Sequence, residues 1–330
     1  MILFILKSHL TSGGPGRTPS SGLENSATLV ADVLRDFGIY TKVVTVVDSN
    51  SIDREVHQNK PRIVILEAIW CPPYKLKELA KLWPGIRWIV RIHSEIPFLA
   101  NEGQAMDWLF QYKDIPNVII GANSFRATED LIIAGIPAVY LPNYHPINCF
   151  KAFRIEDKEL NIGCFGAIRP MKNQLAQALA AIEYAKLQGK FLNFHMNTSR
   201  VEQGGQQTLK NLRALLSSDP TRFRLVEFPW MLTRDFMEMV RNMDVCLNVS
   251  FTETFCITAA NAAAQNVPIV VSPEIPWASN EIKADPTSVK DILHKLEVAL
   301  GHHRRKIIDD NLEGLQIYDE ISIRKWLEVV

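Results

Sequence analysis

Residues 165–174, FGAIRPMKNQ, set a glycine, an arginine and a lysine in a turn between an apolar strand and a helix. Arg169 and Lys172 in that turn would neutralise a diphosphate and stabilise it as it departs; the plainer reading is a solvated basic turn. Residues 250–272, SFTETFCITAANAAAQNVPIVVS, place Glu253 just ahead of a helix expected to start around Phe255. The N–H groups of Phe255, Cys256 and Ile257 would then face outward without carbonyl partners, as a phosphate requires. The competing reading is a glutamate that only serves the helix N-terminus. The stretch RIHSEIPF, residues 91–98, brings His93 close to Glu95 and offers either an acid/base pair near neutral pH or a structural hydrogen-bonder. Residues 13–22, GGPGRTPSSG, follow the first apolar run, and Gly13, Gly14 and Gly16 would let the backbone approach a phosphate or sugar closely. The loop matches neither a Walker A motif nor GxGxxG, so a surface loop is the alternative.

These stretches need elements to hold them. Short Val/Ile-rich runs alternate with helical patterns, the signature of parallel α/β layers. Strands are expected at 2–8, 41–47, 62–68, 87–94, 117–124 and 138–143, and again at 161–167, 191–197, 223–229, 245–250 and 268–272. The clearest helix covers 23–38, where Leu23, Ala27, Val30, Leu34 and Phe37 recur at helical spacing before Gly38. The stretch PNYHPINCFKAFRIEDKELN interrupts the rhythm with prolines and mixed charge. The closing ISIRKWLEVV is amphipathic and offers Ile321, Ile323, Trp326 and Val329 or Val330 for burial against the first half. Ligands bind open parallel sheets at the carboxyl ends of the strands, and all four polar stretches follow a strand.

A chain of 330 residues exceeds the size at which one core stops growing, about 250–300 residues, so two domains are expected. Hydrophobic content of 47%, charged content of 22% and 36 basic against 36 acidic residues describe a globular protein without a strong nucleic-acid charge signature. The apolar start MILFILKSHL is too short to span a bilayer and lacks a basic leader, so it is read as a first strand with no transmembrane segment. Five cysteines, odd in number and without a CxxC pair, are expected as reduced thiols of a cytoplasmic protein. The histidines form no HxxxH or HExxH, His302 and His303 are read as solvent-facing, and no metal site is expected.

Taken together in chain order, 13–22, 91–98, 165–174 and 250–272, the four stretches resemble the GT-B nucleotide-sugar glycosyltransferases, and within them the retaining group called family 4, as a divergent member. The likeness spans nearly the whole chain and is most specific over 161–272. That family carries a glutamate, a Gly/Phe-rich turn into a helix, a second glutamate eight residues after the first, and a small apolar strand near a proline. Glu253, the FCIT turn, Asn261 and VPIVVS occupy those places. Gly166 and Lys172 keep the family's six-residue spacing, whereas Arg169 comes three residues after the glycine instead of directly after it. His93 matches a histidine that faces the sugar, residues 13–22 match the family's first loop, and LPN at 141–143 matches its exit from the first domain.

The resemblance implies two Rossmann-like parallel-sheet domains facing each other across a cleft: an acceptor domain over 1–145, a linker over 146–160, a donor domain over 161–315, and a closing helix over 316–330. It implies metal-independent, retaining transfer from a nucleoside-diphosphate sugar, UDP- or GDP-linked, with no permanently bound cofactor. The acceptor, whether glycan, protein or nucleic acid, is left open. His93, Glu253, Arg169 and Lys172 would act on the reacting groups. Gly13, Gly14, Gly16, Glu95, Gly166, Trp230, Thr254, Phe255, Cys256, Ile257 and Asn261 would line the site, with Trp230 beside the nucleobase. Asn261 replaces a ribose-binding carboxylate by a neutral amide, and Thr254 and Cys256 stand where the turn has glycines. Three other readings are a base-modifying glycosyltransferase, a sugar-nucleotide epimerase on the same fold, and a non-catalytic carbohydrate- or protein-binding descendant.

Overall fold

The computed structural model describes residues 1–8, 22–147 and 159–330. The chain divides into two compact units, Met1–His145 with Asp319–Val330, and Pro146–Tyr318. Gly13, Gly14 and Gly16 lie outside the described residues, as does most of the interrupted stretch after LPN.

In the first unit, β1 (Ile2–Lys7), α1 (Gly22–Asp36), β2 (Thr41–Val46), α2 (Ile52–Asn59), β3 (Ile63–Glu67), α3 (Pro73–Leu82), β4 (Arg87–Ile92), α4 (Ile96–Leu99), α5 (Ala105–Tyr112), β5 (Val118–Ala122), α6 (Phe125–Ile133) and β6 (Ala138–Tyr140) follow in turn. The strands form one parallel sheet in the order β2-β1-β3-β4-β5-β6. Helices cover both faces of such a sheet, which is why β3, IVILE, is buried at all five positions instead of alternating. Register is continuous through the centre, with Ile5 beside Leu66, Leu66 beside Val90 and Val90 beside Ile120. Ser124 starts α6 by accepting the Ala127 N–H at 3.3 Å. The helical stripe expected over 23–38 holds through Leu34, but Phe37 lies beyond the last turn of α1 and is 53% exposed.

In the second unit, β7 (Glu159–Gly163), α7 (Gln174–Gln188), β8 (Phe191–Asn197), α8 (Gly205–Leu216), β9 (Phe223–Phe228), α9 (Thr233–Arg241), β10 (Val245–Asn248), α10 (Ile257–Ala264), β11 (Ile269–Val271), α11 (Val289–Leu300) and α12 (Arg304–Val329) build a parallel sheet ordered β11-β10-β7-β8-β9. The chain leaves β7 to one side for β8 and β9, then returns to the other side for β10 and β11. The carboxyl ends of β7 and β10 therefore flank the topological switch point, where open α/β sheets leave a crevice.

Helix α12 is continuous from Arg304 to Val329, with Tyr318 in the second unit and Asp319 in the first. Its last turns carry Trp326 into the core of the first unit, 5.8 Å from the ring of Phe4, and the indole N–H donates to the Pro142 carbonyl at 2.8 Å. Asp319 accepts the His145 N–H at 2.9 Å, and burial pushes its carboxyl from 3.8 up to about 8. A raised carboxyl pKa means the folded chain holds a proton that the unfolded chain has already lost, so this group's stabilising share is full below pH 4 and gone above pH 8. Asp319→Asn keeps an acceptor oxygen without the charge. Its melting temperature is expected to exceed that of the wild type at pH 9, with the gap closing toward pH 4; a gap independent of pH contradicts this.

Candidate functional site

The loops after β7 and β10 meet at the switch point of the second unit. Gly166 stands in the first loop at φ +120°, a conformation that residues with a side chain rarely adopt and in which a substitution is strained whatever the space around it. Lys172 closes the same loop, and its ammonium makes an ion pair with Glu253 in the loop after β10. The pair is 21% and 10% exposed at the two side chains, and Lys172 has no other side-chain partner among the described residues. The Ser250 hydroxyl donates to the same carboxylate oxygen at 2.9 Å, while the Glu253 N–H donates to Glu274 at 2.6 Å. Two residues 81 positions apart in the chain are thereby fixed side by side at a sheet edge.

Buried amides lock the two loops into this register. Asn173, left-handed at φ 56°, donates to the Val249 carbonyl at 3.2 Å and to the Pro286 carbonyl at 2.7 Å. Gln177 donates to the Lys172 carbonyl at 2.7 Å and accepts the Val249 N–H at 2.9 Å, and Gln174 holds the Ala167 carbonyl at 3.1 Å. The Phe251 N–H reaches the Met171 carbonyl at 2.9 Å. Gln174 Oε1 has no hydrogen-bond partner among the described residues, but the remaining contacts of Asn173 and Gln177 tie the two loops together and hold Lys172 and Glu253 in place. None of these amides was singled out from the sequence. Their only local signal is polarity on the buried face of an otherwise apolar helix.

The helix after Glu253 begins later than expected, at Ile257 and not near Phe255, because Cys256 takes the left-handed conformation at φ 59° and turns the chain into α10. That is a backbone state in which glycine costs least. Asn248, at the end of β10, secures the turn by accepting from Thr258 Oγ1 at 2.6 Å and from Cys256 Sγ at 3.4 Å. Burial, and next the Glu253 carboxylate, push the Cys256 thiol up to about 12, so it is neutral and unreactive at ordinary pH. Phe255 is buried as a whole residue, its ring against Trp277 and Tyr318 and its carbonyl accepting the Trp277 indole N–H at 2.9 Å, so its backbone is not the outward-facing group expected from the sequence. Thr254 is half-buried in the turn, and Asn261 lies on the buried face of α10.

A second group of polar side chains spans the loops after β7, β8 and β9. The Ile168 N–H donates to the Arg200 carbonyl at 2.9 Å and the Glu202 N–H to the Ile168 carbonyl at 3.0 Å, fusing the first two loops. Arg169 Nε lies 3.5 Å from one oxygen of Glu202, and Arg200 Nε donates to the other at 2.5 Å. The Arg200 guanidinium sits over the ring of Trp230 at 4.9 Å, and the Trp230 N–H donates to Ser199 Oγ at 2.7 Å. Trp230 is half-buried in this group and does not belong to the hydrophobic core.

In the first unit, His93 does not pair with Glu95. Its Nε2 bonds Glu67 at the end of β3, its Nδ1 faces the Asn123 amide at 3.3 Å, and Glu95 instead holds Arg126 at 3.3 Å. Burial and the Arg91 guanidinium hold the imidazole below its ordinary 6.5, while Glu67 pulls the other way. Burial alone would raise the Glu67 carboxyl, but Arg91 and His93 outweigh it and keep the group ionised. Nε2 then carries the proton toward Glu67 and Nδ1 accepts from Asn123, so both ring nitrogens are engaged inside the unit. Because the unfolded chain protonates at this histidine near 6.5 and the folded one resists, this share of stability is present above pH 6.5 and lost as pH falls below it. The stability difference between wild type and His93→Gln is expected to narrow between pH 7 and pH 5 in urea unfolding; a constant difference contradicts it.

Among the described residues no group of three or more His, Cys, Asp or Glu side chains is placed to hold a metal ion, and no helix is long and apolar enough to cross a membrane. No family model and no curated protein matches the sequence. Solved structures do match. A sucrose-phosphate synthase from Thermosynechococcus elongatus superposes with a TM-score of 0.72 at 12% identity, covering 98% of this chain and 97% of its own. A glycosyltransferase from Rickettsia africae gives 0.70 at 14% identity over 99% and 97%, and an α,α-trehalose 6-phosphate synthase from Burkholderia multivorans gives 0.69 at 11% identity over 99% and 95%. Identities this low establish the fold alone: the chain has the GT-B architecture of two Rossmann-like parallel-sheet domains.

Proposed function

We propose that this chain is a retaining glycosyltransferase that takes a sugar from a nucleoside-diphosphate donor, with the second unit as the donor domain and the first as the acceptor domain. One observation carries the reading. On a GT-B fold, the two loops at the switch point of the second unit are locked together so that Lys172 and Glu253 meet beside the start of α10.

Lys172 and Arg169 have the charge to offset what gathers on the leaving diphosphate, and the N–H groups at the start of α10 add a fixed positive end. Glu253 is then the partner of the donor sugar's hydroxyls, trading its lysine for the substrate. Asn261 stands at the place of a ribose-binding carboxylate, and a neutral amide there makes a weaker hydrogen bond than a charged group, so a weaker ribose contact belongs to this reading. The first unit's part is assigned to the loops after β1 and β4, with His93 held in one tautomer by Glu67. The cationic side chains carry the role that a divalent ion would fill, so chelator is expected to leave turnover unchanged.

The test is a panel of UDP- and GDP-sugars with the intact chain, reading nucleotide release and the identity and anomeric configuration of the product. Release that depends on Lys172 and Glu253 supports the proposal. An isomerised free donor would instead mark an epimerase, and a folded chain that binds no nucleotide would sink the enzyme reading.

A further inference from the structure

Within that reading, the structure assigns a base-reading role to Arg200, with a guanine nucleotide as the donor it selects. Arg200 was not among the residues singled out from the sequence. Its guanidinium is oriented from two sides: the ring of Trp230 lies beneath it at 4.9 Å, and Glu202 accepts from Nε at 2.5 Å. The two terminal nitrogens then form a fork with no acceptor among the described residues, on a side chain 32% exposed. An arginine fixed in this way has spent its orientational freedom but not its paired donors.

The fork requires two adjacent acceptors. A phosphate would supply them, but the Glu202 carboxylate stands beside the guanidinium and repels a second anion, and Arg169 and Lys172 already provide cations nearer the switch point. A neutral acceptor pair beside a flat apolar ring fits better, and guanine presents such a pair in O6 and N7. Adenine sets an amino donor next to N7, and uracil offers a single carbonyl beside an N–H donor. Glu202 also ties this fork to Arg169, so the base end and the diphosphate end of the site are linked through one carboxylate.

The experiment is calorimetric titration of the full chain with GDP, UDP, ADP and 7-deaza-GDP, the last of which lacks the N7 acceptor. GDP is expected to bind about 10- to 100-fold more tightly than UDP or ADP, with 7-deaza-GDP close to UDP. In Arg200→Gln and in Arg200→Lys, whose single ammonium cannot fork, the GDP-to-UDP ratio is expected to fall to near one. The proposal is overturned if UDP or ADP matches GDP in the wild type, or if both variants weaken GDP and UDP by the same factor. Binding without preference removes this inference and leaves the donor site standing; no binding by any of the four removes both.

Discussion

Replacing Lys172 by alanine is expected to lower sugar transfer by about 10²–10³-fold while leaving the chain folded. The side chain is a fifth exposed and its one partner among the described residues is Glu253, a tenth exposed and also held by the Ser250 hydroxyl, so the change breaks a partly buried ion pair but removes no core packing. The loss in stability is expected to be below that of stranding a fully buried carboxylate, since Glu253 keeps some solvent and the Ser250 hydroxyl. The loss in rate is expected to be large because, in the proposed reaction, the ammonium offsets charge gathering on the departing diphosphate, and an interaction that strengthens only in the transition state appears in kcat. Lys172→Arg keeps the charge but spreads it over a planar fork, and recovers part of the rate. Glu253→Ala should lose turnover too, and the double variant should lose less than the two single losses combined, since the residues share one network. Additive losses would mean that the ion pair seen without ligand has no bearing on the reaction.

Arg91→Met is expected to destabilise the first unit by about 3–5 kcal/mol, because it strands a buried carboxylate. Arg91 and Glu67 are both fully buried and 3.2 Å apart. Arg91 also donates to the Leu141 and Pro142 carbonyls at 3.0 Å each and to Asn143 at 2.6 Å, and lies 5.0 Å from the centroid of the Trp326 ring. A loss of that size corresponds to a fall of roughly 10 °C in the melting temperature of a domain of this length. Arg91→Met combined with Glu67→Leu removes both charges and should regain a good part of it. If the single variant melts with the wild type, Glu67 is not held as an ion by this network.

The sequence carried the layers well and the junctions poorly, for a physical reason. Strands such as IVILE and VCLN announce themselves because both faces of a parallel sheet are covered, so apolar residues run without a break. The place of Lys172 and Glu253 at strand ends was equally legible, since each follows such a run. What joins them was not. The pairing depends on β10 lying next to β7, and on Asn173 and Gln177 reaching carbonyls of the other loop, neither of which leaves a local pattern. The start of α10 lies two residues later than expected because the apolar run Phe255–Cys256–Ile257 leads straight toward the alanines, with no sequence mark that Cys256 adopts a left-handed turn. His93 and Glu95 looked like partners because they are two residues apart, yet the β4 strand end directs His93 toward Glu67, 26 residues away on the neighbouring strand. Arg200 and Glu202 gave no signal, as their roles rest on three loops meeting.

A crystal structure of the chain with a bound nucleoside diphosphate decides whether the switch point of the second unit holds the donor's diphosphate. Phosphate oxygens are expected within hydrogen-bonding distance of Lys172 Nζ and of the first N–H groups of α10, with Glu253 released from its lysine. A diphosphate bound elsewhere, with the Lys172 to Glu253 pair intact at saturating ligand, would contradict it.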